Sequence, residues 1–202
     1  MSVIALDFET SGLNPYHDDI IEIGAKVMGE DKIFECLVKP KSGKRLDHYI
    51  TELTGICPML LFREGSLWSN AYSKFYNWLI TQLKIGETNV IVSHNGEGFD
   101  FIFLKRLLKE MREEMKQDTL ALEDYDIIYI DTLLLSKRLL CNVNRYNQPY
   151  LCSRFNIPAP NAHRALGDVL SLEKMYEKII QLLSKYHPSD PQSIWDYIHL
   201  DI

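Results

Sequence analysis

The feature that most constrains this chain is its first apolar run, which closes on two acids: V-I-A-L-D-F-E-T-S-G, residues 3–12. Extended backbone sends alternate side chains to opposite faces, so Asp7 and Glu9 share one face, about 7 Å apart along the chain. Two carboxylates at the border of an apolar strand repel each other. They are tolerated if one stays protonated, if cations neutralise both, or if both reach water beyond the strand end. The rest of the chain must decide among the three.

Residues 3–8, 20–28 and 32–38 read as strands with short polar connections, the pattern of an antiparallel meander whose hairpin turn lies at Gly29 to Asp31. Helical patterns follow at residues 47–53 and 67–83, the second with Trp68, Ala71, Tyr72, Phe75, Trp78, Leu79 and Leu83 on one broad face. The run N-V-I-V-S at 89–93 then leads through a turn into a helix over 101–115, and residues 127–130 repeat the strand signal before a helix that Asp131 caps. Parallel strands joined through helices follow from this order. Pro149 opens a short helix to Phe155, Pro158 and Pro160 break the chain, and residues 162–186 carry the longest amphipathic pattern. There is no internal repeat or linker, so residues 1–202 read as one mixed α/β domain, with the tail 188–202 docked on it.

Further acids stand at corresponding junctions. S-H-N-G-E-G-F-D brings Asp100 just after the strand 89–93, and N-A-H-R-A-L-G-D brings His163 and Asp168 to the start of the last helix. Sites in open α/β sheets gather at the carboxyl ends of the strands, where these motifs can meet. Five residues of helix turn through about 140° beyond a full circle, so His163 and Asp168 cannot share a face if both are helical. The prolines before it make His163 the one held on the loop. Four carboxylates and one imidazole form an oxygen-rich set that suits Mg²⁺ or Mn²⁺ better than zinc, which favours Cys and several His. Two such ions about 3.5 to 4 Å apart stabilise both oxygens of an in-line phosphoryl displacement, with a histidine to accept the proton of the attacking water.

Charge and cysteine content narrow the setting. The formal net charge of -6 argues against broad electrostatic coating of nucleic acid, though not against a local site that grips phosphates through metal ions. Four cysteines without C-x-x-C spacing, and an M-S-V-I-A-L start that reads as a strand rather than a leader, point to a reduced intracellular compartment, cytoplasmic or nuclear. Charges interrupt every apolar run short of a membrane span, so no membrane partner is expected. Oligomeric state is not legible, and a homodimer is left open.

With D-F-E-T-S-G-L, H-N-G-E-G-F-D and H-R-A-L-G-D in order across residues 3–177, the chain resembles the DEDDh (DnaQ-like) 3′-to-5′ exonucleases, and within them looks most like the three-prime repair exonucleases. The resemblance implies an RNase H-like fold, a mixed five-stranded sheet flanked by helices. It implies that Asp7, Glu9, Asp100 and Asp168 hold two Mg²⁺ or Mn²⁺ ions, with Asp7 bridging them, and that His163 is the general base. Thr10 and Leu13 match positions that contact the terminal nucleotide, Leu13 as a wedge, and Asn95 and Phe99 match substrate-side positions. The implied partner is the 3′ end of a single strand of DNA or RNA, cut to 5′-monophosphates. The alternatives are an RNA-specific exoribonuclease of oligoribonuclease or tRNA-trimming type, and a module that binds nucleic-acid ends without turnover. Taken singly, each acid has a plainer reading as a helix cap or a solvated face, and it is their joint order that outweighs it.

Overall fold

The computed structural model describes residues 1–114, 122, 125–140, 143–159 and 163–186. Its sheet is built from β1 (Ser2–Thr10), β2 (Ile20–Val27), β3 (Ile33–Lys39), β4 (Ser66–Leu67), β5 (Asn89–Ser93) and β6 (Ile127–Asp131), in the spatial order β4-β3-β2-β1-β5-β6. The first three strands form the expected antiparallel meander, and β5 and β6 run parallel to β1. Seven helices accompany it among the described residues: α1 (His48–Thr54), α2 (Pro58–Glu64), α3 (Trp68–Gln82), α4 (Asp100–Glu114), α5 (Thr132–Leu139), α6 (Gln148–Arg154) and α7 (Ala165–Tyr186). No helix among these residues is long and apolar enough to cross a membrane.

Alternation along β1 divides the core. Ile4, Leu6 and Phe8 join the cluster under α3 and α4, with Tyr72, Phe75, Leu104 and Leu107. Val3 and Ala5 face the other way, toward Val169, Leu172 and Met175 of α7. Period-two geometry therefore continues the α7-facing stripe from Val3 and Ala5 onto Asp7 and Glu9, at the end of the strand where α7 begins. The acids are not strays in the core. They are the polar end of an otherwise apolar stripe.

The five-stranded expectation is corrected to six strands, because Ser66 and Leu67 pair in parallel with Val38 and Lys39. Two residues are too few to show an alternation, so β4 has no signature in sequence. Helix α2 was also illegible: only Leu61 is buried, while Met59 and Phe62 are 64% and 75% exposed, which leaves no amphipathic period. Its ends nevertheless follow local rules, with Pro58 in the first turn, the Cys57 sulfur accepting from the Leu60 N–H, and Gly65 at the C-terminus. Helix α7 starts at Ala165 rather than at residue 162, since His163 adopts the left-handed conformation (φ 64°) and cannot continue a right-handed helix. The expected docking of the tail 188–202 falls outside the described residues, as do residues 160–162.

Arg106 stands on α4. It is half-buried, lies over the Phe103 ring and donates to the carbonyls of Pro15 and Asp18, so it pins the loop between β1 and β2 against α4. Lys105 and Lys109 on the same helix are exposed.

Candidate active site

One cleft, of about 210 Å³, is lined by Asp7, Glu9, Asn95, Phe99, Asp100 and His163 together with Asp168, His94, Gln148 and Pro149. It lies at the carboxyl ends of β1 and β5, where α4 and α7 begin. One carboxylate oxygen from each of Asp7, Glu9 and Asp168 lies within 4.8 Å of the other two. Asp100 borders the same cleft but stands outside this group. Its Oδ1 accepts from the Phe8 N–H at 3.0 Å and its Oδ2 from the Ser93 hydroxyl at 2.6 Å. The Phe8 N–H lies past the last β1–β5 ladder pair, Ala5 with Val92, so Asp100 satisfies a donor that the sheet leaves over.

His163 is off the helix, as the spacing required. Its backbone N–H donates to Asp168 Oδ2 at 2.9 Å, and its ring makes no hydrogen bond among the described residues. Asn95, with φ 67°, is a second non-glycine residue in the left-handed region. Left-handed backbone at non-glycine residues is costly and concentrates at functional sites, and here two such residues line one cleft. Asn95 is held by its N–H to Asp131 Oδ1 at 3.0 Å, and Phe99 packs edge-on against Phe103.

The remaining nominated residues sit apart from the cleft lining. Thr10 is buried and its hydroxyl donates to the Gly12 carbonyl at 2.6 Å, tightening the turn after β1. Leu13 is 79% exposed on that turn and is no core residue. His94 does more than finish a strand end: Nε2 donates to the Tyr146 carbonyl at 2.8 Å and Nδ1 meets the Thr132 hydroxyl at 3.0 Å, joining the loop after β5 to the loop before α6.

Sequence reasoning missed the groups that hold the third motif in place. Glu22 on β2 stands directly opposite Glu9, and its side chain is fully buried in a strand whose eight residues are all buried. Both its oxygens accept from Arg164 Nε at 3.1 Å, and Oε2 also accepts from the Ala165 N–H at 2.8 Å. Gly24 permits this docking, because a Cβ there would come 2.5 Å from the Ala165 carbonyl carbon. Gln148 completes the support by donating to the Asp168 carbonyl at 2.8 Å. The only advance signal was an acid amid I-I-E-I-G, which reads as a defect until its arginine, 142 residues away, is known.

So many acids in one place shift each other. Burial first, then Asp100 and Glu9, hold the Asp7 carboxyl well above its usual range. Burial and the neighbouring Asp168 and Glu22 push Glu9 up to about 8, while Arg164 opposes the shift. Burial raises Asp100 to about 7 against the hydrogen bonds from Ser93 and Phe8. Asp168 is also raised, by burial, with the His163 N–H pulling the other way. The donor set is entirely oxygen, with three carboxylates converging and no thiolate or imidazole in the group, which fits a hard divalent cation.

These shifts fix the sign of a pH dependence. Carboxyls whose folded pKa lies above the unfolded value bind more protons in the folded state, so their contribution to stability is lost as pH rises through the folded pKa. In EDTA, the melting temperature should fall as pH rises from about 5 to about 8, the span set by Glu9 and Asp100. Added Mg²⁺ should raise it more at pH 8 than at pH 5, because cations compete with protons for these oxygens. A melting temperature indifferent to pH in EDTA would contradict this electrostatic picture.

Residues 4–176 match the model of the RNase T exonuclease family. The chain belongs to this exonuclease family. The chain is 30% identical over 185 residues to a PolC-type DNA polymerase III of Thermotoga petrophila, and 30% identical over 181 residues to that of Bacillus subtilis. The alignments cover 90% and 88% of the chain but only 12% and 11% of those relatives, so the chain spans about an eighth of their length. Among solved structures it is similar to exonuclease I (TM-score 0.74, 20% identity, 97% of this chain and 42% of that one). It is similar also to Escherichia coli exonuclease I in complex with a dT13 oligonucleotide (TM-score 0.73, 20% identity, 97% and 43%). The sheet and its flanking helices are thus the RNase H-like α/β fold.

Proposed function

We propose that this exonuclease removes nucleotides one at a time from the 3′ end of single-stranded DNA or RNA and releases 5′-monophosphates, with two Mg²⁺ or Mn²⁺ ions. The observation that carries the reading is the convergence of Asp7, Glu9 and Asp168 within 4.8 Å, with Asp100 and His163 bordering the same cleft. Bound there, the cations would polarise the scissile phosphate and neutralise charge that develops on the attacking and leaving oxygens. Asp7, Glu9 and Asp168 would hold them, and Asp100, with each oxygen already accepting one hydrogen bond, would act from the edge of the set.

His163 is the proposed general base. Its backbone is fixed by Asp168 while its ring is left without a hydrogen-bond partner among the described residues, so the imidazole is free to turn toward a water in the cleft. Leu13, exposed on the turn after β1, is the proposed wedge beside the terminal base, with Thr10 tightening that turn, and Asn95 and Phe99 of the cleft lining are the proposed substrate-side contacts. The reading takes residues 1–202 as a single exonuclease domain. DNA is the first substrate to test, because the relatives are DNA polymerases and the structural neighbour holds a DNA oligonucleotide.

The test is digestion of matched DNA and RNA strands, labelled at the 5′ end, with Mg²⁺ and with EDTA. Stepwise shortening from the 3′ end that EDTA abolishes is the expected result. Shortening of RNA alone would make the chain an exoribonuclease, and retention without shortening would make it an end-binding module. His163→Ala should lower kcat by roughly 10² to 10⁴ with a much smaller change in oligonucleotide affinity. A variant with wild-type kcat would remove His163 from the chemistry.

A further inference from the structure

The catalytic cleft shares two lining residues, His94 and Asn95, with a second and larger cavity of about 640 Å³. Its other walls come from α5 and from the loop before α6, with Leu133, Lys137, Arg145 and Tyr146 among them. None of its lining residues is acidic. Lys137 and Arg145 are exposed, and neither pairs with a carboxylate among the described residues. This stands out in a chain of net charge -6 whose adjoining cleft is walled by four carboxylates.

Resting on the proposed nuclease function, we infer that this groove is the track for the nucleotides on the 5′ side of the scissile bond. A strand whose last phosphodiester lies among Asp7, Glu9 and Asp168 must lead its remaining phosphates away from those charges, and free cations in an acid-free groove supply the path. Tyr146 and Leu133 add an apolar wall on which a base can stack, the combination of basic and aromatic groups that single-stranded nucleic acid requires. Tyr146 is held for that role at both ends. Its hydroxyl donates to the Leu140 carbonyl at 2.8 Å, and its own carbonyl accepts from His94 at the boundary with the cleft. A third opening, of about 410 Å³ and bordered by Arg164, suits a phosphate chain poorly, because Glu22, Glu35 and Glu64 line it as well.

The test is equilibrium binding of 5′-fluorescein dT2 and dT6 in Ca²⁺, read by anisotropy over a salt series. Wild type should bind dT6 tenfold or more tighter than dT2. In the Lys137→Ala/Arg145→Ala double variant that gain should fall below twofold. Its slope of log Kd against log salt should drop by ~1.4, two single-strand phosphate contacts at ~0.7 each. Tyr146→Ala should erode the gain and Tyr146→Phe keep most of it, because the ring supplies the stacking surface while the hydroxyl only anchors it to the Leu140 carbonyl. The inference is overturned if the double variant keeps the gain and the slope, if dT2 and dT6 weaken equally, or if wild type shows no gain with length. Circular dichroism melts of each variant exclude loss of fold. Shortening of dT6 in Mg²⁺ is scored separately, so an inactive wild type that still gains affinity with length would sink the nuclease reading and leave the track standing.

Discussion

Asp7→Asn is expected to lower turnover about 10³-fold or more, in line with the several kcal/mol of charge stabilisation that a catalytic cation supplies. The same variant should raise the melting temperature of the metal-free protein near pH 8. Asp7 is surrounded by Asp100, Glu9, Asp168 and Glu22, all of which make its negative charge harder to hold. An amide of the same shape removes that repulsion and with it the affinity for cations. The two effects have one cause, so they must appear together. Melting in EDTA with and without Mg²⁺, beside a turnover assay, reads both. A variant that turns over normally, or one that is inactive merely because it has unfolded, would refute the account.

Arg164→Ala carries the second large effect, and it falls on stability first. Glu22 is completely buried, and its carboxylate takes its bonds from the Arg164 guanidinium and the Ala165 N–H. Removing the cation leaves a buried charge uncompensated, at a cost of about 3 kcal/mol, the low end for such pairs because the Arg164 side chain is itself 35% exposed. For a chain of this size that lowers the melting temperature by roughly 6 to 12 °C. Activity should fall as well, since the start of α7 carries Asp168 and the turn before it carries His163. Arg164→Lys keeps the charge but not the two-pronged donor, and should lie between wild type and alanine. Replacing Glu22 and Arg164 together with apolar residues should recover stability without activity. A double variant that recovered both would show that the pair does not position the site.

Much of the fold was legible where the chain obeys a simple period. The meander from Ser2 to Lys39 shows alternating or continuous apolar runs, and α3 and α7 show broad apolar stripes. The illegible elements lack any period. Helix α2 buries one residue and β4 is two residues long, and both exist through contacts with β3 and through local capping. The site divides in the same way. The acids and His163 stand in short motifs with definite spacing, whereas Glu22, Gln148 and Ser93 are unremarkable letters that become supports only when distant segments meet.

By itself, the sequence determined that Asp7 and Glu9 share a face, that His163 must leave the helix that carries Asp168, and that oxygen donors outnumber all others. These are consequences of backbone geometry and side-chain chemistry, which act over a few residues. Only the tertiary structure decided how the repulsion between Asp7 and Glu9 is managed. Strand β2 places Glu22 and Gly24 so that Arg164 and the start of α7 dock beside Glu9, and Asp168 completes a three-carboxylate set. The charge balance depends on residues more than a hundred positions apart, and folding alone brings them within bonding distance.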